Sequence, residues 1–118
     1  MRPVQTRQQL VARKSQAMEG KRAHTDNEIE AQLAELAGWS HRDGALERGY
    51  AFRDYHDTIA FVNAVAWMVH GEDHHPELRI GYNRCTVRWN THAVSGISDN
   101  DFICAAKTDA VFNRGFGN

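Results

Sequence analysis

The sequence predicts an α+β domain with two layers, in which helices cover one face of a four-stranded antiparallel sheet. Two short segments of alternating apolar and polar residues flank a turn signal in the first half of the chain, and two more do so in the second half. Segments with apolar residues at helical spacing lie before, between and after these hairpins. Hairpins separated by helices are typical of an antiparallel sheet packed against helices, so the predicted order is α-ββ-α-ββ-α.

Three helices are predicted by apolar periodicity combined with capping signals. The first begins after Thr25, because Thr25 and Glu28 have the spacing of a capping box. The second is capped by Asp54 and is apolar over most of its circumference, which indicates a largely buried helix. It ends before Pro76, since proline disfavours the α conformation of the preceding residue. The third begins after Ser98.

The four strands form two predicted hairpins. The first joins residues 39–41 to residues 45–53 through a turn that contains Asp43 and Gly44. The second joins residues 78–82 to residues 87–91 around Asn83. The strand over residues 45–53 carries Tyr50 and Phe52, with no obvious charged residue between them to protect an edge from pairing with another sheet. We therefore expect a symmetric dimer, formed by edge pairing or by helix packing, with each active site made within one subunit.

Length and composition predict one ordinary globular domain. The chain has 118 residues, of which 42% are hydrophobic and 25% charged, values that exclude a fibrous repeat, a disordered tail and a disulfide scaffold. No apolar run reaches the length of a membrane-spanning helix. The two cysteines, Cys85 and Cys104, are interpreted as reduced thiols of a cytoplasmic protein.

Charge is distributed unevenly, although the formal net charge is only −1. The first 24 residues carry six basic side chains and one acidic side chain, whereas the rest carry eight basic and fourteen acidic side chains. We expect residues 1–24 to be a basic extension, flexible or partly helical, and residues 25–118 to form the single domain. The acidic balance of that domain argues against binding to nucleic acid.

Histidine is the residue type that points to chemistry. The chain has seven, and four of them, His70, His74, His75 and His92, fall within 23 positions. A hairpin centred on Asn83 brings the paired histidines 74 and 75 opposite His92. Because imidazole can donate and accept protons near neutral pH, converging histidines are suited to general acid–base catalysis.

Each of these residues also has a purely structural interpretation. His70 can be the exposed end of a helix, where a cation is favourable near the helix dipole. The two histidines before Pro76 can mark an ordinary helix exit, and His92 can be a polar strand end. Asp101, at the third position of the last helix, can be a capping carboxylate.

A metal site is an alternative that we do not predict. His70 and His74 have the spacing that places two imidazoles on one helix face, and His92 would complete a three-histidine zinc site. However, Gly71 and Pro76 interrupt the helix that this arrangement needs. The expected metal content is therefore none.

Several separated motifs resemble the pterin-4a-carbinolamine dehydratase family, also called 4a-hydroxytetrahydrobiopterin dehydratases, of the bacterial type. The resemblance runs from about Thr25 to Phe112. It is carried by His74-His75-Pro76-Glu77, Tyr82-Asn83, Thr91-His92, Asp101 and the run from Asp101 to Lys107. The resemblance implies the same sheet covered by helices.

The resemblance also implies an activity and its residues. The reaction is dehydration of 4a-hydroxytetrahydropterin to quinonoid dihydropterin, a lyase reaction that needs no metal or organic cofactor. The implied catalytic residues are His74, His75 and His92, supported by Asp101. His74 and His92 would be acids towards the two hydroxyl epimers, and His75 would orient the ring or act as a base. The implied pterin-binding positions are Asp73, His74, His75, Asn90, Thr91 and His92.

The implied partners are a pterin substrate and a second copy of the chain, as a homodimer or homotetramer, with functional coupling to an aromatic amino-acid hydroxylase. Two alternatives stay open: a non-catalytic dimerisation or protein-binding module, as in animal relatives, and a pterin-related role in molybdenum-cofactor metabolism. The chain departs from the animal pattern at His70, Leu78 and Ala93, which bears on substrate preference.

Overall fold

The structure, a computed structural model, describes residues 3–15 and 23–116. It confirms the predicted α+β class, with a four-stranded antiparallel sheet and helices against it. In chain order the elements are α1 (Arg7–Ala12), α2 (Asp26–Leu33), β1 (Ser40–Arg42), β2 (Ala45–Ala51), α3 (Tyr55–His70), β3 (Glu77–Ile80), β4 (Arg84–Trp89), a 3₁₀ turn (His92–Val94) and α4 (Asp99–Gly115).

Capping explains where the predicted helices begin. The hydroxyl of Thr25 accepts the backbone N–H of Glu28, whose carboxylate accepts the N–H of Thr25 in return. Asp54 accepts the N–H of Asp57 at 2.9 Å and so begins α3. These side chains satisfy N–H groups that the first helical turn leaves without partners.

The sheet order β1-β2-β4-β3 places β2 in the interior of the sheet. The expectation that the strand over 45–53 is an exposed edge is therefore wrong for residues 46 and 47, which pair with both β1 and β4. Alternation identifies a strand but not its neighbours, and here β4 pairs with β2 from Leu46–Trp89 to Ala51–Arg84. Within the described chain, residues 48–51 of β2 have no strand partner on the β1 side.

The register of the second hairpin differs by one residue from the predicted register. Glu77 lies opposite Arg88, with a 3.0 Å ion pair between them, and Ile80 lies opposite Cys85. Continued beyond the strands, this register puts residue 74 opposite residue 91 rather than residue 92. The paired histidines and residues 91–92 still meet at the same end of the sheet.

In the described part of the chain, no helix is both long enough and apolar enough to cross a membrane.

The core lies between one face of the sheet and helices α3 and α4. The largest side chains that are less than 2% exposed include Trp89, Phe61, Phe102, Leu10, Leu36, Leu46, Ile97 and Ile103. Leu10 belongs to α1, so the basic extension contributes to this core.

The described part of the extension packs on the domain rather than extending into solvent. Helix α1 lies against α4, and Arg7 and Arg13 form ion pairs with Asp109 and Asp99 of that helix. Basic residues near the start of the chain therefore neutralise carboxylates of the acidic domain. The basic residues 2, 21 and 22 lie outside the described residues, as does the segment 16–22.

Asp109 joins α4 to the sheet and to α1. Its buried carboxylate accepts hydrogen bonds from Trp39 at 2.9 Å, from Arg48 at 2.7 Å and from the Tyr50 hydroxyl, in addition to the Arg7 ion pair. Burial and the adjacent carboxylate raise the pKa of Tyr50 far above its ordinary value. Tyr50 therefore stays neutral and donates its hydrogen bond to Asp109.

Glu72 fixes the end of the described N-terminal segment. Its carboxylate accepts the backbone N–H of Ser15 at 2.9 Å and pairs with Lys107 of α4 at 2.9 Å. Burial alone would raise the pKa of Glu72, but the Lys107 and Ser15 contacts outweigh it and hold the pKa below its ordinary value of 4.5.

Replacing Glu72 with Gln should lower the free energy of unfolding at pH 7 by about 1 kcal/mol, because the charge-assisted bonds to Lys107 and Ser15 weaken. Since the pKa is lower in the folded state, this stabilisation is present above about 4.5 and lost as pH falls through the folded-state pKa. Urea unfolding at several pH values should therefore show a difference that shrinks in acid. The exposed Glu30→Gln variant is the control, and a difference independent of pH would contradict this account.

Candidate active site

The site is built on the carboxylate of Asp101, which has no solvent exposure. One oxygen, Oδ2, accepts the backbone N–H of Ser98 at 2.9 Å and the hydroxyl of Thr91 at 2.8 Å. The other, Oδ1, is 2.7 Å from Nε2 of His74. Asp101 is thus a helix-capping residue that also contacts the ring of a histidine.

The hydrogens of this cluster can be assigned from its acceptors. Thr91 has one hydroxyl hydrogen and donates it to Asp101, so the Ser98 hydroxyl, 2.7 Å from Thr91 Oγ1, must donate to Thr91. An ionised carboxylate only accepts, so Nε2 of His74 carries a proton and donates it to Asp101. In neutral His74, the other nitrogen, Nδ1, is therefore the basic atom left for chemistry.

His74 is also fixed by ring packing. Its imidazole stacks on the indole of Trp89, with ring centroids 5.2 Å apart and an angle of 20° between the planes. The His74 side chain is 13% exposed and the Trp89 side chain is buried. Two fixed partners, one at the ring edge and one at the ring face, leave this imidazole little freedom to rotate.

The other side chains of the site are carried by two turns, each of which contains a residue in the left-handed backbone conformation. Asp73, just after α3, has φ of 53° and leads into the two histidines. Beyond β4, Thr91 pairs with Gly96 in an isolated bridge, and Ser95, with φ of 52°, closes the 3₁₀ turn between them. Asp and Ser adopt this conformation less readily than glycine, so these turns are held by the contacts around them.

A cleft of about 500 Å³ lies between these two turns, a volume typical of small-molecule sites. His75 and His92 are exposed in it, whereas Asp101 lies behind it and reaches it only through His74 and Thr91. The cleft is lined by Asp73, His74, His75, Pro76, Glu77, Asn90, Thr91, His92 and Ala93.

The structure brings together the predicted site residues other than Asp101 in one cleft. Sequence reasoning did not assign Trp89 to the site, and it did not assign Glu77 or Ala93 to the cleft. Trp89 could have been found from strand alternation, because it lies two residues before Thr91 on the same strand face. The stacking of Trp89 on His74 could not have been predicted, because the contact depends on the course of the loop after α3.

The three-histidine metal alternative does not match this geometry. Helix α3 ends at His70, so His70 and His74 do not share a helix face, and Nε2 of His74 is bonded to Asp101. Elsewhere among the described residues, Asp54, His56 and Asp57 place ligand atoms within 4.8 Å of one another. Asp54 there is the cap of α3, which accounts for the cluster without a metal.

The arrangement is suited to moving protons on a bound heterocycle. Three imidazoles line the cleft, one of them held by a buried carboxylate. Among the described lining residues there is no cysteine, serine or lysine to serve as a nucleophile. The fold and the cleft therefore define an α+β protein with three histidines in a small-molecule-sized cleft.

Comparison with known proteins identifies the family. The family described as Pterin 4 alpha carbinolamine dehydratase matches residues 22–111. A protein from Nitrosospira multiformis, named "Putative pterin-4-alpha-carbinolamine dehydratase", is 48% identical over 88 residues, 75% of this chain and 78% of the relative. A protein of the same name from Bdellovibrio bacteriovorus is 48% identical over 112 residues, 92% of each chain.

A solved structure agrees with these relatives. The crystal structure of a "transcriptional coactivator/pterin dehydratase" from Brucella melitensis matches with a TM-score of 0.72 and 32% identity, over 75% of this chain and 97% of that chain. The chain belongs to the pterin-4a-carbinolamine dehydratase family, as the sequence motifs indicated.

Replacing Asp101 with Asn should lower the free energy of unfolding by about 1–3 kcal/mol, because one amide oxygen cannot accept all three hydrogen bonds. Urea unfolding monitored by circular dichroism measures this. The matched control is Asp43→Asn, at an exposed turn residue with φ of 50°, a conformation that Asn adopts readily. An Asp101→Asn protein as stable as the unaltered one would show that the carboxylate does not hold the cluster together.

Proposed function

We propose that the protein catalyses dehydration of 4a-hydroxytetrahydropterin to quinonoid dihydropterin by general acid–base catalysis. The observation that carries the proposal is the cleft in which His75 and His92 accompany His74, whose ring is held by the buried carboxylate of Asp101. The family and the names of the relatives support the same reaction class.

The chemistry requires two proton transfers and no redox change. The bond between C4a and the hydroxyl oxygen breaks, and a proton delivered to that oxygen lets it leave as water. The proton on N5 is removed, and its electron pair forms the new double bond to C4a. Protein groups that contact the pterin ring must therefore donate and accept protons near neutral pH, and imidazoles can do both.

Asp101 is proposed to act through His74 rather than on the substrate. Its carboxylate fixes the proton on Nε2 and so leaves Nδ1 to exchange a proton with the pterin. When Nδ1 gains a proton, the adjacent negative charge stabilises the imidazolium that results. Stacking on Trp89 keeps the ring at a constant angle while this happens.

The roles of the exposed histidines are part of the proposal. His74 and His92 act as acids towards the two hydroxyl epimers, and His75 orients the ring or takes the proton from N5. Both exposed imidazoles can move to meet a ligand, because no described hydrogen bond holds them. Asp73 and Asn90 are exposed in the cleft and are proposed to bind the pterin.

Thr91 is proposed as a positioning residue more than as a direct ligand of the pterin. It is 4% exposed, and its hydroxyl is used by Asp101 and Ser98. Its backbone N–H donates to Gly96 at 2.8 Å. Thr91 thus connects the end of β4 to the carboxylate that orients His74.

The proposed setting is the cytoplasm, where the reaction would recycle the pterin of an aromatic amino-acid hydroxylase. The two cysteines are free and buried, as expected in a reducing compartment. Burial raises the pKa of the Cys85 thiol to about 11 and that of Cys104 to about 12, so both resist oxidation.

His75→Ala and His92→Ala should each slow the dehydration by about a hundredfold or more, the usual contribution of a positioned acid or base. The decay of the 4a-carbinolamine absorbance, followed in buffer with EDTA, measures the rate. Both residues are exposed, so the unfolding midpoint in urea should not change.

The matched control is His56→Ala, because His56 is exposed on α3 outside the cleft. That variant should retain the unaltered rate. Unaltered rates in both cleft variants, or no acceleration by the unaltered protein, would contradict the proposed function.

We also propose a homodimer or homotetramer. Trp67 on α3 is 82% exposed, and tryptophan is enriched at protein interfaces. Static light scattering at micromolar protein concentration should give a multiple of the 13.4 kDa chain mass, and Trp67→Glu should lower it. A 13.4 kDa particle for the unaltered protein would contradict the assembly and leave the catalytic proposal intact.

A further inference from the structure

The loop between α3 and β3 is attached to α4 at two points. Oε2 of Glu72 pairs with Nζ of Lys107 at 2.9 Å. Nε2 of His74 bonds Oδ1 of Asp101 at 2.7 Å, and both partners belong to α4. One attachment comes directly before the cleft residue Asp73 and the other directly after it. The backbone that carries the cleft histidines is therefore held against α4 on both sides of Asp73.

The conformation of Asp73 makes both attachments matter. Its φ of 53° lies in the left-handed region, which is less favourable for a residue with a side chain than for glycine and is held by the contacts around it. Loss of the Glu72 contact would leave one side of this turn unheld. The chain would then relax at Asp73 and change the direction in which it enters His74.

The Glu72 carboxylate also contacts the basic extension. Its Oε1 accepts the backbone N–H of Ser15 at 2.9 Å. Glu72 and Ser15 are both buried, so this hydrogen bond is largely shielded from water. The two oxygens of one carboxylate thus connect the extension, the loop and α4.

The extension holds Ser15 at a fixed position. Leu10 is fully buried in the core. The N–H of Gln5 donates to the side chain of Gln32 on α2 at 2.9 Å, and the Gln32 amide donates to the Gln5 carbonyl at 2.7 Å. This segment precedes residues 22–111, which match the family, so membership of the family implies nothing about its role.

On the basis of the proposed function, we propose that Glu72 is a positioning residue of the acid–base cleft and that the extension acts on the reaction through it. The carboxylate keeps the loop against α4 and so keeps the His74 ring bonded to Asp101. Because Ser15 donates to that carboxylate, residues 3–15 belong to the structure that the proton transfers need, although none of them lines the cleft.

Glu72→Gln tests the attachment while keeping the shape of the side chain. An amide has one oxygen, so its NH₂ group must face either the Lys107 ammonium or the Ser15 N–H, and neither can accept a hydrogen bond. The kcat for decay of the 4a-carbinolamine should fall about tenfold, because a displaced acid–base group reacts from a poorer geometry. Glu30→Gln, at an exposed position of α2, is the matched control and should keep the unaltered kcat.

Substitutions of Lys107 supply a conservative rescue. Lys107→Met should lower kcat as Glu72→Gln does, whereas Lys107→Arg keeps a cation beside the carboxylate and should retain most of the rate. The double variant of Glu72→Gln and Lys107→Met should be no slower than the single variants, because both remove the same attachment. Lys14→Met, at an exposed residue of the extension, is the matched control.

Ser15 tests the contribution of the extension. Ser15→Pro removes the N–H that Glu72 accepts, whereas Ser15→Ala keeps it and loses only the hydroxyl contact with Cys104. The kcat should fall in the proline variant and not in the alanine variant. Hydrogen exchange needs no change at Ser15: its amide should exchange about tenfold faster in Glu72→Gln than in the unaltered protein. Equal exchange in the two proteins would show that the extension does not act through Glu72.

The ring of His74 gives a readout that a loss of stability alone would not change. Long-range ¹H–¹⁵N spectra distinguish the two imidazole tautomers, and the Asp101 contact predicts a hydrogen on Nε2 in the unaltered protein. In Glu72→Gln, measured well below its unfolding temperature, His74 should show both tautomers. Glu30→Gln should give the unaltered spectrum.

The outcomes separate this inference from the function on which it rests. If the unaltered protein does not accelerate the dehydration, the proposed function is wrong, and the His74 spectra and Ser15 exchange decide whether Glu72 holds the loop. If it does, but Glu72→Gln and Lys107→Met keep the unaltered kcat, the positioning role is wrong and the function stands. A lower kcat with unchanged His74 spectra would also overturn the positioning role, because the loop would not have moved.

Discussion

The hydrogen bonds of the buried Asp101 carboxylate are the interaction on which the site depends. An ionised group without solvent exposure is costly unless donors surround it, and here the donors come from three separate places in the chain. Ser98 belongs to the start of α4, Thr91 to the segment after β4, and His74 to the loop after α3. The same contacts that satisfy this charge therefore bring together the turns that form the cleft.

Much of the fold could be predicted because it depends on local signals. The capping residues Thr25 and Asp54 act within one helical turn, and strand alternation depends only on neighbouring residues. The sheet order could not be predicted in this way, since it is decided by which strands bury the most apolar surface. The packing of α1 was also missed, because Leu10 and the Arg7–Asp109 ion pair act across almost the whole chain.

The site could be predicted in its composition more than in its geometry. The paired histidines and His92 were assigned from a hairpin register that differs by one residue from the observed register. The assignment still places them in one cleft, because these residues lie in loops beyond the ends of the strands. Thr91 lines the cleft, yet its hydroxyl donates to the buried Asp101. The stacking of Trp89 on His74 leaves no signal in the spacing of the residues.

The most direct test of the central claim is a double-mutant cycle on the dehydration rate, with His74→Ala, Asp101→Asn and the double variant. If Asp101 acts only through His74, the two effects do not add. The account predicts that the double variant is as slow as His74→Ala alone, with all proteins shown to be folded by circular dichroism. A double variant slower by the product of the two single effects would contradict it.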